Sequence, residues 1–242
     1  MKFGIIGTNF ISDWFAGTGE RVQEYELSAV CGTSIAKAQA FADKYGENIF
    51  VTDDYTKLAQ SGIEAVYIGA PNEMHCEITK FFLTAGIPVL CEKPLAPTFS
   101  EVQEMIALSR KTGVTLFEGI VPLYTDIFAA LRNKISEIGQ VHNALFNFCQ
   151  YSSRYDSFRQ GAVPNAFDPK KRGGSLRDIG IYPLYQAMAL FGKPLQVIAT
   201  GNILSTGVDG SGMVVLCYAD KQVAIMHSKT SFTCLLYTSR CV

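Results

Sequence analysis

Residues 2–12 read KFGIIGTNFIS. Lys2 to Ile6 is a short apolar run, a glycine-containing loop follows it directly, and a helix-like stretch extends through Val22. A strand that turns over glycine into a helix opens a βαβ unit, and the first turn of such a helix offers N–H groups and a partial positive charge to an anion. Read as G-x-G-x-x-G, the loop keeps Gly7 but places Asn9 and Ser12 at the second and third glycine positions. Asn tolerates left-handed backbone better than most residues, and Ser12 is small enough for close helix–strand packing. Gly7, Thr8, Asn9, Phe10 and Ile11 are therefore candidates to hold a dinucleotide pyrophosphate.

Outward from that loop the pattern repeats. LSAVC (27–31) precedes AKAQAFADKYG (36–46), EAVYIGAP (64–71) precedes MHCEITKFFLTAG (74–86), PVLCEKP (88–94) precedes SEVQEMIALSRKTG (100–113), and VTLFEG (114–119) comes last. In the last helix Val102, Met105, Ile106 and Ser109 take the i, i+3, i+4, i+7 spacing of an inward face, with Ser100 as the expected N-cap and Gly113 just past the end. The apolar runs are too continuous for a half-wetted antiparallel sheet and read as parallel strands covered on both faces. The fold class is α/β: residues 1–118 form a doubly wound, dinucleotide-binding domain. Residues 119–233 change character. A helical segment near 126–138, a strand-like run at 140–151, a polar stretch at 152–174 and a helix at 178–191 lead into strand-like runs at 195–204, 212–219 and 222–232. That order predicts an α+β domain with a mostly antiparallel sheet.

The chain has 242 residues, 48% of them hydrophobic, and a formal net charge of -1. The balance argues against nucleic acid or an anionic membrane as the main partner, and the first residues are too polar beyond Gly7 for a leader or a span. Seven cysteines show no C-x-x-C spacing, and no metal site is expected. Cys31, Cys91, Cys149 and Cys217 fall in apolar runs, as small core residues would, which fits a reducing cytoplasm. The second strand ends at Cys31 and is followed by Gly32-Thr33-Ser34 and then Lys37. An NAD-selective site places an acid there for the ribose 2′-hydroxyl. Thr33, Ser34 and Lys37 instead suit a 2′-phosphate, so NAD(P) is the expected cofactor, with NADP favoured.

VLCEKPLA (89–96) runs a buried strand straight into Glu92, Lys93 and Pro94. In a doubly wound sheet, ligands bind at the carboxyl ends of strands, so these charges are expected at the cofactor crevice. This stretch, together with GIIGTNFIS (4–12), APNEMH (70–75) and GGSLRDIGIYPL (173–184), resembles the glucose-fructose oxidoreductase/inositol dehydrogenase family (Gfo/Idh/MocA) over nearly the whole chain. Tyr182, where many members carry His, and TGVDGSGMVVLCY (206–218) make it similar to the dihydrodiol and D-xylose dehydrogenase branch. The resemblance implies a Rossmann domain, hydride exchange between NAD(P) and a sugar, polyol or related diol, and catalytic roles for Lys93, Asp178 and Tyr182. It implies that Pro71, Asn72 and His75 form the loop beside the nicotinamide and that Glu92 lies near its ribose. A phenol has an ordinary pKa of about 10, and a nearby ammonium such as Lys93 would favour phenolate. On a helix, Asp178 and Tyr182 would share one face. A homo-oligomeric parent is also implied. The alternatives are a non-catalytic nucleotide- or sugar-binding regulator of the same fold, or an inactive fragment of the enzyme. The tail CLLYTSRCV (234–242) back-translates into a transposon mosaic end used as a sequencing adapter. Residues 234–242 are therefore expected to be non-native, the chain truncated near Thr233 and the second sheet incomplete.

Overall fold

The computed structural model describes residues 1–19, 21–22 and 24–233; the expected non-native tail lies outside the described residues. The chain divides into two compact units, Met1–Gly119 and Ile120 onward.

In the first unit the strands are β1 (Lys2–Ile6), β2 (Glu26–Cys31), β3 (Phe50–Thr52), β4 (Ala65–Ile68), β5 (Val89–Cys91) and β6 (Leu116–Glu118). They form one sheet in the order β3-β2-β1-β4-β5-β6, with every pairing parallel. The order reverses direction between β1 and β4, the switch point at which such sheets bind ligands. The connecting helices are α1 (Phe10–Gly19), α2 (Ile35–Ala42), α3 (Tyr55–Leu58), α4 (His75–Thr84) and α5 (Phe99–Thr112). Helix α1 ends at Gly19, short of the expected Val22. The larger core cluster joins Ile68, Val89 and Cys91 of the sheet to Ile78, Phe82 and Leu83 of α4 and Met105 of α5. Each large aliphatic or aromatic side chain so buried contributes about 1.5–3 kcal/mol.

Helix α5 departs from its expected start. Thr98, not Ser100, is the N-cap, and its side chain accepts from the Glu101 N–H while the Glu101 carboxylate accepts from the Thr98 N–H. The Thr-x-x-Glu capping box satisfies two otherwise unpaired donors at once. Met105 is fully buried, whereas Ile106 is 38% exposed, so the inward stripe is narrower than its spacing suggests. Gly113 closes the helix in the left-handed conformation, as expected.

The second unit begins with α6 (Asp126–Lys134) and contains β7 (Asn143–Cys149), α7 (Tyr155–Arg159), α8 (Ile181–Phe191), β8 (Gln196–Ile203), β9 (Asp209–Cys217) and β10 (Gln222–Ser228). Its sheet order is β7-β10-β9-β8. Two pairings are antiparallel, but β7 and β10 run parallel, so the sheet is mixed. Ala187 of α8 packs on Val214, Leu216, Val223 and Ile225. Cys149 and Cys217 are half-buried rather than core, because they sit at strand ends, while Cys31 and Cys91 are buried. Among the described residues, no helix is long and apolar enough to cross a membrane.

Candidate active site

At the carboxyl edge of the first sheet, the residue after each strand from β2 across to β6 continues the ladder by one hydrogen bond. Gly32 N–H donates to Thr52, Gly7 to Cys31, Gly69 to Ile6, Glu92 to Ile68 and Gly119 to Cys91, at 2.7–3.0 Å. The edge therefore reads glycine, glycine, glycine, Glu92, glycine from β2 to β6. Gly7 has φ +99°, and a Cβ there would lie 2.5 Å from the Gly69 carbonyl oxygen. No other residue fits both the conformation and the approach.

Asn9 organises the turn into α1. Its amide donates to the Gly69 carbonyl (2.7 Å), and its oxygen accepts from the N–H groups of Ile11 and Ser12 (3.1 Å each). It is both the N-cap of α1 and a cross-tie between the β1 and β4 loops. The first intrahelical bond runs from Asp13 N–H to the Asn9 carbonyl. The amides of Asn9 and Phe10 thus precede the helix ladder, the arrangement a pyrophosphate needs. The Gly7 cradle and these amides fit a dinucleotide. Ser12 is buried against Gly69, as its size predicted.

Thr33 and Lys37 are exposed, and Ser34 caps α2, accepting from Lys37 N–H. The parallel pairing of Cys31 with Thr52 also brings Asp53 and Asp54 to this corner, acids invisible to a reading confined to β2. Asp54 is engaged as the N-cap of α3 through Thr56. Burial, reinforced by Asp54 and Asp53, pushes the Cys31 thiol up to about 11. Burial also raises the thiol of Cys91. Both remain protonated packing residues, not nucleophiles.

The Glu92–Ala96 segment is pinned from several directions. The Glu92 carboxylate is buried; it accepts from the Tyr67 hydroxyl (2.7 Å) and from Lys93 N–H (3.2 Å). Leu95 N–H donates to Glu118 (2.8 Å). His75, 1% exposed, sits between the Pro94 carbonyl (2.9 Å at Nδ1) and the Ala70 carbonyl (2.8 Å at Nε2). His75 is therefore a clamp that joins the loop after β4 to the loop after β5. Pro71 is exposed and Asn72 half-buried on that same loop. The Lys93–Pro94 peptide is cis. Lys93 itself is half-buried and engaged.

In the second unit Asp178 and Tyr182 do not share a continuous α-helix. Residues Leu176–Gly180 form a π-helical turn that passes into α8 at Ile181. Such π-turns concentrate at functional sites. The turn is held from its start: Leu176 N–H donates to Asp209 Oδ2 (2.7 Å). His227 lies beneath it, with Nδ1 2.9 Å from Ser175 Oγ. A Cβ on Gly180 would meet the His227 ring at 2.9 Å, which explains glycine there. Tyr182 packs on Phe148, with ring centroids 5.7 Å apart. Asp178 forms an ion pair with Lys229, which sequence reasoning missed. The available signal was one lysine closing the otherwise uncharged run QVAIMHSKTSF. Among the described residues no group of three potential metal ligands converges.

Burial holds the His227 imidazole below its ordinary value, opposed by Asp209 at 3.8 Å. The unfolded chain, with His near 6.5, therefore binds this proton more readily than the folded one. The contribution to stability is complete above about pH 6.5 and is lost as pH falls through that value toward the depressed folded one. Between pH 7 and 5 the thermal midpoint of the wild type should fall more steeply than that of His227→Gln. Parallel slopes would show that His227 does not titrate in this window.

An oxidoreductase-family model described as an NAD-binding Rossmann fold (GFO_IDH_MocA) matches residues 1–120, and the GFO/IDH/MocA C-terminal domain model matches residues 128–235. The chain is 42% identical over 231 residues to the scyllo-inositol 2-dehydrogenase (NADP(+)) IolU of Bacillus subtilis, covering 96% of this chain and 70% of that protein. It is 32% identical over 242 residues to the trans-1,2-dihydrobenzene-1,2-diol dehydrogenase of Mus musculus, covering 97% and 68%. Its fold matches the crystal structure of myo-inositol 2-dehydrogenase from Lactobacillus plantarum with a TM-score of 0.82 at 21% identity, over 94% of this chain and 69% of that one.

Proposed function

Because the chain belongs to the GFO/IDH/MocA oxidoreductase family, we propose that it exchanges a hydride between NAD(P) and a secondary hydroxyl of a polyol, sugar or related diol. The observation that best supports this reading is the pinned Glu92–Pro94 segment beside the Gly7–Gly69 cradle, at the switch-point edge of the sheet. Gly7, Thr8, Asn9, Phe10 and Ile11 hold the pyrophosphate; Thr33, Ser34 and Lys37 receive the adenosine ribose. NADP is the favoured cofactor, in keeping with the NADP(+)-dependent relative. Pro71, Asn72 and Glu92 border the nicotinamide side, and His75 fixes their loop. NAD(P), when bound, supplies the hydride acceptor. Tyr182 takes the hydroxyl proton, Lys93 supplies positive charge to the acid–base step, and Asp178 accepts a hydrogen bond from the substrate. Written for oxidation, the carbinol C–H pair leaves as hydride, the O–H proton passes to Tyr182, and a carbonyl forms.

The buried free thiols suit a reducing cytoplasm. The open sheet face, with Leu145, Ile198 and Met213 more than 40% exposed, suits contact between copies in a homo-oligomer. Nicotinamide absorbance, followed with inositols, aldoses and trans-dihydrodiols against NAD and NADP in parallel, tests the activity. Turnover of a polyol, faster with NADP, is expected. Absence of turnover with every substrate and both cofactors would overturn the reading.

A further inference from the structure

We propose that Lys229 is a positioning residue for the substrate side of the site, holding the Asp178 carboxylate charged and aimed. The inference rests on the proposed function, in which Asp178 binds the substrate hydroxyl. The pair is lopsided: the Lys229 side chain is 10% exposed and that of Asp178 39%. A buried ammonium is costly unless a partner compensates it, and here the partner reaches back from the surface. The cation is the buried member of the pair and the carboxylate the part-exposed one.

Lys229 is delivered from a rigid support. Its N–H donates to the Gly210 carbonyl (2.8 Å), and its own carbonyl accepts from Ser152 N–H (2.9 Å). The turn after it is closed by Ser228 Oγ, which accepts from the N–H groups of Thr230 (3.1 Å) and Ser231 (3.0 Å). Asp178 is fixed with similar care, its N–H donating to the Gly174 carbonyl (3.1 Å) at the start of the π-helical turn. Two independently anchored backbones thus meet through one charge-assisted bond, stronger and more directional than a neutral one. A carboxylate already neutralised by a buried ammonium is a good hydrogen-bond acceptor and a poor base. That leaves the proton to Tyr182 and gives Asp178 the task of orientation.

The test uses Lys229→Met, Lys229→Arg, Asp178→Asn and the double variant Asp178→Asn/Lys229→Met. Misplacing an orienting group by about 1 Å can cost up to about 10²-fold. Lys229→Met should lower kcat/KM for the polyol by about 10- to 100-fold while leaving the NADPH dissociation constant, read by fluorescence, unchanged. Lys229→Arg should recover most of that loss, which a purely packing role would not allow. The double variant should be no slower than Asp178→Asn, because Lys229 acts only through Asp178. Undiminished kcat/KM in Lys229→Met, or losses that add in the double variant, would overturn the proposal. A separate readout needs no activity. Asp178→Asn strands a buried ammonium, so the double variant should unfold at a higher temperature than Asp178→Asn alone. If the wild type turns over no polyol, the functional reading fails and this comparison decides the pair by itself; a midpoint no higher in the double variant would overturn the coupling.

Discussion

Tyr182→Phe should lower kcat by about 10²–10⁴-fold, the contribution usual for a positioned acid–base group. The substitution removes only the phenolic oxygen. The ring keeps its packing on Phe148, so the thermal midpoint should move little and the cofactor should bind as before. Lys93→Met removes the charge of the proposed catalytic lysine and keeps a stem of similar length. It should depress kcat by at least the lower end of the same range. If the two residues act on one proton, the double variant will be little slower than either single one, since groups that work as a unit are far from additive. Steady-state kinetics with a polyol and NADP measure all three. Near-normal turnover in Tyr182→Phe would remove Tyr182 from the mechanism and return the proton to Lys93.

Gly7→Ala should cost the first unit its cofactor site. The residue has φ +99°, a region that strains an L-residue by about 1–3 kcal/mol. The new methyl would in addition stand 2.5 Å from the Gly69 oxygen and 2.8 Å from its carbonyl carbon. Neither neighbour is a flexible side chain, so the β1 and β4 loops must separate, and with them the Asn9 cross-tie. Cofactor affinity should fall at least tenfold, and the thermal midpoint should drop by about 10 °C for a domain of this size. Unchanged NADPH binding by fluorescence titration would show that the cradle is not the pyrophosphate site.

The alternation of the first domain is readable because it rests on local signals, apolar runs and helix patterns, each confined to a dozen residues. The start of α5 is not, because Thr98 and Ser100 are both good caps, each with a Glu or Gln three residues on, and only the folded chain shows that the Thr98–Glu101 box is the one that forms. The parallel pairing of β7 with β10 joins segments far apart in the chain, and nothing in either run announces it. The same limit applies at the site. Lys93 and Tyr182 stand out within short motifs, whereas Lys229 gains its meaning only from Asp178, fifty-one residues earlier in the chain. Asp53 likewise reaches the corner after Cys31 through strand pairing, not through proximity in sequence. His75 draws the eye as one of three histidines, but only its two carbonyl partners identify it as a clamp.

The glycines that follow β1, β2, β4 and β6 have a consequence for redesign. Along that edge the groups on offer are mostly main-chain amides, whose identity no substitution alters, while side chains stand at Glu92 within it and at Thr33, Ser34 and Lys37 beyond it. Grip and preference are thus separable. If the roles proposed for Thr33, Ser34 and Lys37 hold, exchanging NADP for NAD becomes a matter of editing these three positions, with the cradle left untouched and only the Ser34 cap of α2 at stake. An acid introduced at Ser34 would retain the capping of α2 while repelling a 2′-phosphate, so one replacement could reverse the choice of coenzyme without rebuilding the fold that carries it.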